Sequence, residues 1–149
     1  MDPGQVRVRI LEEHVELRGL LARLQRAALA VTETPSLSGA LRTELEQFMS
    51  RFSDHLALED EILVPTLRNI DAWGEERARR VELEHAEQRA TIRALLDGLR
   101  DPNVAAAQLA QDVLALAAEL HTDMAHEEEA VLHEDLLRDD VVAIDLQTG

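Results

Sequence analysis

Apolar residues recur every three or four positions in four stretches of this chain, which is the spacing of a helix with one buried face. The first stretch begins near Gln5, the second near Ser38 and the third near Glu75. Asp101 followed by Pro102 predicts an N-cap and a first helical residue for the fourth stretch. No stretch alternates with a period of two, so the pattern predicts helices and no strands.

The strings between these stretches predict where the helices end. TETPSLSG, NIDAWGEE and DPNV are rich in turn residues, and Pro65 is predicted to end the second helix or to kink its last turn. Four helices joined by short connections predict an all-α, up-down-up-down four-helix bundle. We assign residues 1–138 to this bundle and residues 139–149 to a polar C-terminal tail that frays or packs loosely.

Each predicted helix carries one histidine on its apolar face: His14, His55, His85 and His121. Glu59 follows His55 by four residues, which places the two side chains about 40° apart on the same face. A lone inward histidine is more often an ordinary core residue than a ligand. Four histidines in four helices, one of them paired with a glutamate, instead favour a metal site. We therefore predict that His14, His55, Glu59 and His85 converge on one buried point.

The fourth helix offers three histidines, which we rank by their angular positions. His121 lies on the apolar face, and Glu128, seven residues later, returns to within about 20° of it. The residues that define this face are Ala117, Leu120, Met124, Val131 and Leu132. We therefore predict His121 and Glu128 as the ligands from this helix, with Glu127 on the shoulder of the face and less favoured. His126 and His133 share a face with acidic residues and are predicted to face solvent. A pairing of His121 with His126 through a five-residue step is the alternative.

The composition narrows the range of partners. The chain has 149 residues, enough for one domain with a substantial core, and a formal net charge of −15. Such an acidic surface repels nucleic acid phosphates and anionic lipid, so we expect neither as a partner. There is no cysteine, which excludes disulfides and thiolate ligands. Without an apolar run typical of a signal peptide or a membrane span, we expect a cytoplasmic protein.

Imidazole and carboxylate ligands together suit iron, manganese or zinc, and a carboxylate can bridge two such ions. The interior of a bundle excludes bulk water, so a small molecule such as dioxygen can bind there without competition from solvent. The residues themselves therefore indicate a His/carboxylate metal site, whereas its ion and its ligand need further evidence.

These motifs resemble the hemerythrin-like family, also called the HHE cation-binding domain, from the first predicted helix through the fourth. The family pattern places one histidine in the first helix, His-x-x-x-Glu followed by a proline in the second, a histidine in the third, and another His-x-x-x-Glu in the fourth. Here LEEHVELRGLLARL supplies His14, and FSDHLALEDEILVP supplies His55, Glu59 and Pro65. ELEHAEQRATIRALL supplies His85.

Two positions depart from the family pattern. Laying EEAVLHE over EDEILVP makes Glu128 the counterpart of Glu59 and leaves Met124 where the fourth-helix histidine is expected. We expect His121, one turn earlier, to substitute. Arg89 stands where some members carry a second histidine of the third helix. The oxygen carriers of the family use a richer histidine set, so reversible oxygen carriage is not the expected role.

The resemblance implies a non-haem iron protein, with two ions expected, that binds or reacts with dioxygen, nitric oxide or peroxide in sensing, storage or stress defence. An enzymatic form would decompose peroxide or repair damaged clusters. The altered ligand set is also compatible with a single ion, and the ligand types are compatible with zinc or manganese. The alternative is a metal-free structural or protein-interaction bundle with a degenerate site.

Overall fold

A computed structural model describes residues 1–138, and within them the chain is all-helical, as predicted. It contains five α-helices: α1 (Pro3–Glu33), α2 (Ser38–Leu58), α3 (Val64–Ile70), α4 (Gly74–Leu99) and α5 (Ala106–Ala130). A 3₁₀ turn, Pro35–Leu37, precedes α2, and a π-helical segment, Glu59–Leu63, joins α2 to α3. Because α2, the π segment and α3 run on without a break, they form one rod, and the predicted four-helix bundle is confirmed. The predicted polar tail, residues 139–149, lies outside the described residues.

The first and last helices begin differently from one another. At the start of α1, the Asp2 carboxylate accepts a hydrogen bond from the Gln5 N–H at 2.9 Å, and the Gln5 side chain accepts one from the Asp2 N–H at 3.1 Å. This reciprocal cap fixes the helix start. The predicted start of the fourth helix was wrong, since α5 begins at Ala106. The Asp101 side chain instead accepts from the Asn103 N–H at 2.8 Å, which makes a turn rather than a helix cap.

Pro65 introduces one wider helical turn into the second rod, and the rod continues beyond it. Proline has no N–H, and its ring crowds the carbonyl four residues earlier, so a regular α-helical turn cannot form there. The Val64 N–H accordingly donates to the Glu59 carbonyl, five residues back, and the chain passes through one π turn before α3 continues to Ile70. Single π turns of this kind are frequent at functional sites.

The interior consists of two apolar clusters, one toward each end of the bundle. α1 packs against α2 and α5, and α3 packs against α4. The larger cluster is built mainly from leucine, alanine and valine of α1, α2 and α5, with Phe48 and Phe52 stacked at 5.9 Å. The smaller cluster joins the start of α1 to α3, α4 and the residues after α5. Among residues 1–138, no helix is both long and apolar enough to cross a membrane.

Candidate metal centre

Five buried polar side chains meet inside the bundle. Ligand atoms of His14, His55, Glu59 and Glu127 all lie within 4.8 Å of one another. His85 approaches the same group, with its Nε2 atom 3.8 Å from Glu59 Oε1. The five side chains come from α1, α2, the π segment, α4 and α5, so all four rods of the bundle contribute. This arrangement of three imidazoles and two carboxylates is called the inner cluster below.

The inner cluster has polar atoms that the protein leaves without partners. His14 Nε2, Glu59 Oε2, His85 Nε2 and Glu127 Oε1 are buried without a hydrogen bond of regular geometry, and two of them, His14 Nε2 and Glu127 Oε1, face each other at 3.1 Å. A buried polar atom without a partner costs free energy, and nearly all such atoms in folded proteins are satisfied. Imidazole nitrogens and carboxylate oxygens that point at one another are a fitting donor set for a cation. A metal ion bound between His14, Glu59 and Glu127 would give their buried atoms a partner.

A small cavity lies beside the inner cluster. It measures about 10 Å³, close to the least space that admits one water-sized sphere. Apolar side chains line part of it: Phe52, Leu56, Leu120 and Met124. Gln88 and Asp123 also line it, and the Gln88 amide donates to the Asp123 carboxylate at 3.1 Å. The cavity therefore suits a single small species in contact with the cluster.

Each cluster histidine pairs its other ring nitrogen with a carboxylate of a neighbouring element. His14 Nδ1 lies 2.7 Å from Glu128 Oε2, and His55 Nδ1 lies 3.2 Å from Glu13 Oε1. His85 Nδ1 lies 2.7 Å from Asp60 Oδ1. A carboxylate on Nδ1 fixes the ring so that Nδ1 carries the proton and Nε2 presents its lone pair to the centre. The three rings are thus held in the orientation that metal binding requires.

An arginine holds each of these outer carboxylates in turn. Arg18 binds Glu128 with two nitrogens, at 2.9 and 2.8 Å. Arg51 lies 2.5 Å from Glu13 Oε2, and Arg89 lies 2.5 Å from Asp60 Oδ2. Each arginine lies four residues from a cluster histidine on the same helical rod, so the two side chains share one helical face. The result is three relays that run from arginine to carboxylate to histidine.

The electrostatics separate the inner carboxylates from the outer ones. Burial raises the pKa of Glu59 to about 7. Burial and the nearby charge of Glu59 raise the pKa of Glu127 to about 8. Burial also lowers the pKa of His55, which favours the neutral ring that a metal needs.

The outer carboxylates show the opposite shift. Burial alone would raise their pKa values, but hydrogen bonds from the arginine and the histidine of each relay outweigh it and lower the pKa of Glu13, Asp60 and Glu128. The outer carboxylates are therefore ionised over a wide pH range. The inner pair is hard to ionise unless a cation compensates its charge.

The structure brings His14, His55, Glu59 and His85 together, as the apolar faces predicted. Each of these four side chains is 1% exposed. Their role as metal ligands stays a prediction. Glu59 lies inward because it follows His55 by one helical turn, and the next residue, Asp60, reaches His85 on α4.

The predicted ligands of the fourth helix need correction. Glu127 belongs to the inner cluster, whereas Glu128 binds His14 Nδ1 from outside it. His121 is partly exposed and lies outside the cluster, contrary to the prediction. His126 and His133 are exposed, as predicted. The buried face of α5 follows alternating steps of four and three residues: Val113, Ala117, Leu120, Met124 and Glu127. Glu128 is about 100° past that face.

The sequence argument misplaced this face for a physical reason. It counted Leu132 as part of the apolar face, but α5 ends at Ala130, so the burial of Leu132 says nothing about which side of the helix points inward. With Glu127 in the cluster, the residue four positions earlier is Asp123. Asp123, rather than Met124, therefore occupies the place of the fourth-helix histidine.

The relays were missed altogether. Glu13, Asp60 and the three arginines look like ordinary surface charge in the sequence, as do most charged residues. One signal in the sequence could have found them, because an arginine lies four residues from each of the three cluster histidines. Arg18 follows His14 and Arg89 follows His85, whereas Arg51 precedes His55.

The comparison with known proteins agrees with this geometry. The family model of the hemerythrin HHE cation binding domain matches residues 7–136, which include every residue of the inner cluster and of the relays. Searches of curated proteins and of solved structures gave no significant match. The match covers most of the chain and both ends of the bundle, so this chain belongs to the hemerythrin HHE cation-binding domain family.

Proposed function

We propose that the inner cluster binds a transition-metal ion and that iron is its physiological occupant. The observation that carries this proposal is that ligand atoms of His14, His55, Glu59 and Glu127 lie buried within 4.8 Å of one another. Three imidazole nitrogens and two carboxylate oxygens suit iron, and they also suit manganese and zinc. The absence of cysteine in the sequence leaves histidine and carboxylate as the available strong ligands.

For the number of ions we propose one, in place of the two expected from the resemblance. The five inner groups are enough to coordinate one ion. Two positions where the family pattern places histidines hold Arg89 and Asp123 instead. Both side chains make hydrogen bonds to other residues, Arg89 to Asp60 and Asp123 to Gln88. They contribute no imidazole to a second ion.

We further propose that the centre binds or reacts with dioxygen, nitric oxide or peroxide, in sensing, storage or stress defence in the cytoplasm. If these residues held a redox-active ion such as iron, the ion would supply the position at which such a small molecule binds. The protein's own part is to exclude water with Phe52, Leu56, Leu120 and Met124, which line the cavity. The three relays hold the imidazoles so that little rearrangement accompanies binding.

Metal analysis of protein purified without an affinity tag tests this function. We expect about one equivalent of iron per chain after anaerobic reconstitution with ferrous ion, and a change of the electronic spectrum on addition of nitric oxide. The control is the variant His55→Gln/Glu127→Gln, which keeps the size of both side chains and should retain little iron. If the wild-type chain retains no more iron than this variant, the metal proposal fails and a metal-free structural bundle is the better description.

A further inference from the structure

The three relays share a feature that ligand orientation alone does not require. Orientation of an imidazole needs only a hydrogen-bond acceptor at Nδ1, and a backbone carbonyl would serve. Here each acceptor is a carboxylate, and each carboxylate is paired with an arginine. The Arg18 guanidinium binds both oxygens of Glu128 in a two-point contact, the geometry that makes such pairs strong.

The pairing determines how much charge surrounds the inner cluster. Six carboxylates lie in or next to it: Glu13, Glu59, Asp60, Asp123, Glu127 and Glu128. Each of the three relay carboxylates faces an arginine, and Arg51 also binds the exposed Glu16. The three arginines therefore offset part of the negative charge around the site. Without them, the same carboxylates would favour an ion of higher charge.

We propose that Arg18, Arg51 and Arg89 are specificity-determining residues that set this centre for a divalent rather than a trivalent ion. The inference rests on the proposed metal function and extends it to the charge of the preferred ion. A guanidinium close to the site repels every cation, and it repels a trivalent ion by one charge unit more than a divalent one. In the partly buried setting of the relays, this difference amounts to roughly tenfold in relative affinity for each arginine.

Arg18 gives the sharpest test because its one described carboxylate partner is Glu128. The probes are Zn²⁺ and Ga³⁺, redox-inert ions of charge two and three, and their affinities are measured by competition with a chelator. Arg18→Gln should raise the affinity for Ga³⁺ relative to Zn²⁺ by roughly tenfold. Looser orientation of His14 would weaken binding of both ions together, so the ratio of the two affinities separates the charge effect from the structural one.

Two matched variants accompany this measurement. Arg18→Lys keeps the charge but loses the two-point contact, so its ratio should stay near that of the wild type. Arg23→Gln removes the same charge from the same helix five residues further on. Arg23 is largely exposed and lies 3.7 Å from Glu44, so this variant should leave the ratio unchanged. Arg89→Gln repeats the test in a second relay in case Arg18→Gln folds poorly.

The outcomes separate this inference from the function it rests on. If the wild type binds neither ion, the metal function fails and this inference fails with it. If the wild type binds Zn²⁺ but Arg18→Gln and Arg89→Gln leave the ratio unchanged, only the inference is overturned. An equal shift in Arg23→Gln would also overturn it, because overall charge rather than the relays would then set the preference.

Discussion

Adjacent glutamates on α5 have different roles. Glu127 is 7% exposed and lies in the inner cluster, whereas Glu128 is partly exposed and holds His14 from the outside. We expect Glu127→Gln to reduce the affinity for zinc by more than about 100-fold, because a ligand is lost. Glu128→Gln should reduce it by about 10-fold to 100-fold, as is typical for the partner of a ligating histidine.

Chelator competition measures both effects of this first prediction. His126→Ala is the control, since His126 is exposed and lies outside the cluster, and it should bind zinc like the wild type. If Glu128→Gln proved more harmful than Glu127→Gln, the assignment of the inward face of α5 would be wrong.

The pKa values of the inner carboxylates predict how the metal-free protein responds to pH. Those of Glu59 and Glu127 are raised to about 7 and about 8, whereas an unperturbed glutamate has a value of 4.5. Between these values the folded state binds protons that the unfolded state has already released. The contribution of this pair to the free energy of unfolding should therefore decrease as the pH rises from about 5 to about 8. Metal affinity should rise over the same interval, because metal and protons compete.

Urea unfolding of the metal-free protein at several pH values measures this dependence. The reference is Glu59→Gln/Glu127→Gln, in which neither side chain titrates, and its stability should fall less steeply. Parallel pH profiles for the two proteins would show that the inner pair does not titrate as described.

At the level of the elements, the turn between α3 and α4 depends on a glycine. A Cβ atom at Gly74 would lie 2.0 Å from the Leu67 carbonyl oxygen and 2.9 Å from that of Arg68. Both are backbone atoms, so the clash cannot be relieved by turning a side chain. Gly74→Ala should therefore lower the free energy of unfolding by about 1–3 kcal/mol or more.

Gly19 provides the matched control for this substitution. It lies inside α1, and a Cβ atom there would have no neighbour within 4 Å. Gly19→Ala should stabilise the protein by up to about 1 kcal/mol, because alanine is the better helix former. Thermal unfolding of the two variants compares them directly, and a harmless Gly74→Ala would mean that α3 and α4 pack less closely than described.

The same elements show what the sequence could predict. The apolar faces of the first three predicted helices and their four inward residues were found because burial repeats with the helical period, as at His14 and His85. The inward glutamate of α5 was not found, because the helix ends at Ala130 and the apolar residues beyond it shifted the inferred face. The π turn and the relays depend on contacts between distant residues, such as Asp60 with Arg89, which periodicity does not report.

At the level of the whole molecule, apolar clusters lie toward both ends of the bundle and should keep it folded without metal. We expect the metal-free protein to remain helical by circular dichroism but to melt at a lower temperature. Zinc at about 100 times its Kd should stabilise the folded state by about 2.7 kcal/mol. An unchanged melting temperature would argue against a site coupled to the fold, and a metal-free random coil would show that the two clusters do not suffice.

The central claim is that one ion is held by the inner cluster. Anomalous X-ray diffraction at the absorption edge of iron, or of zinc as a substitute, tests it most directly in crystals grown with that metal. The account predicts one anomalous peak per chain, about 2.0–2.3 Å from His14 Nε2, His55 Nε2 and oxygens of Glu59 and Glu127, with His85 Nε2 in reach. Two peaks within the bundle would contradict the single-ion proposal. A peak at His121 or His126, with none in the inner cluster, would contradict the site itself.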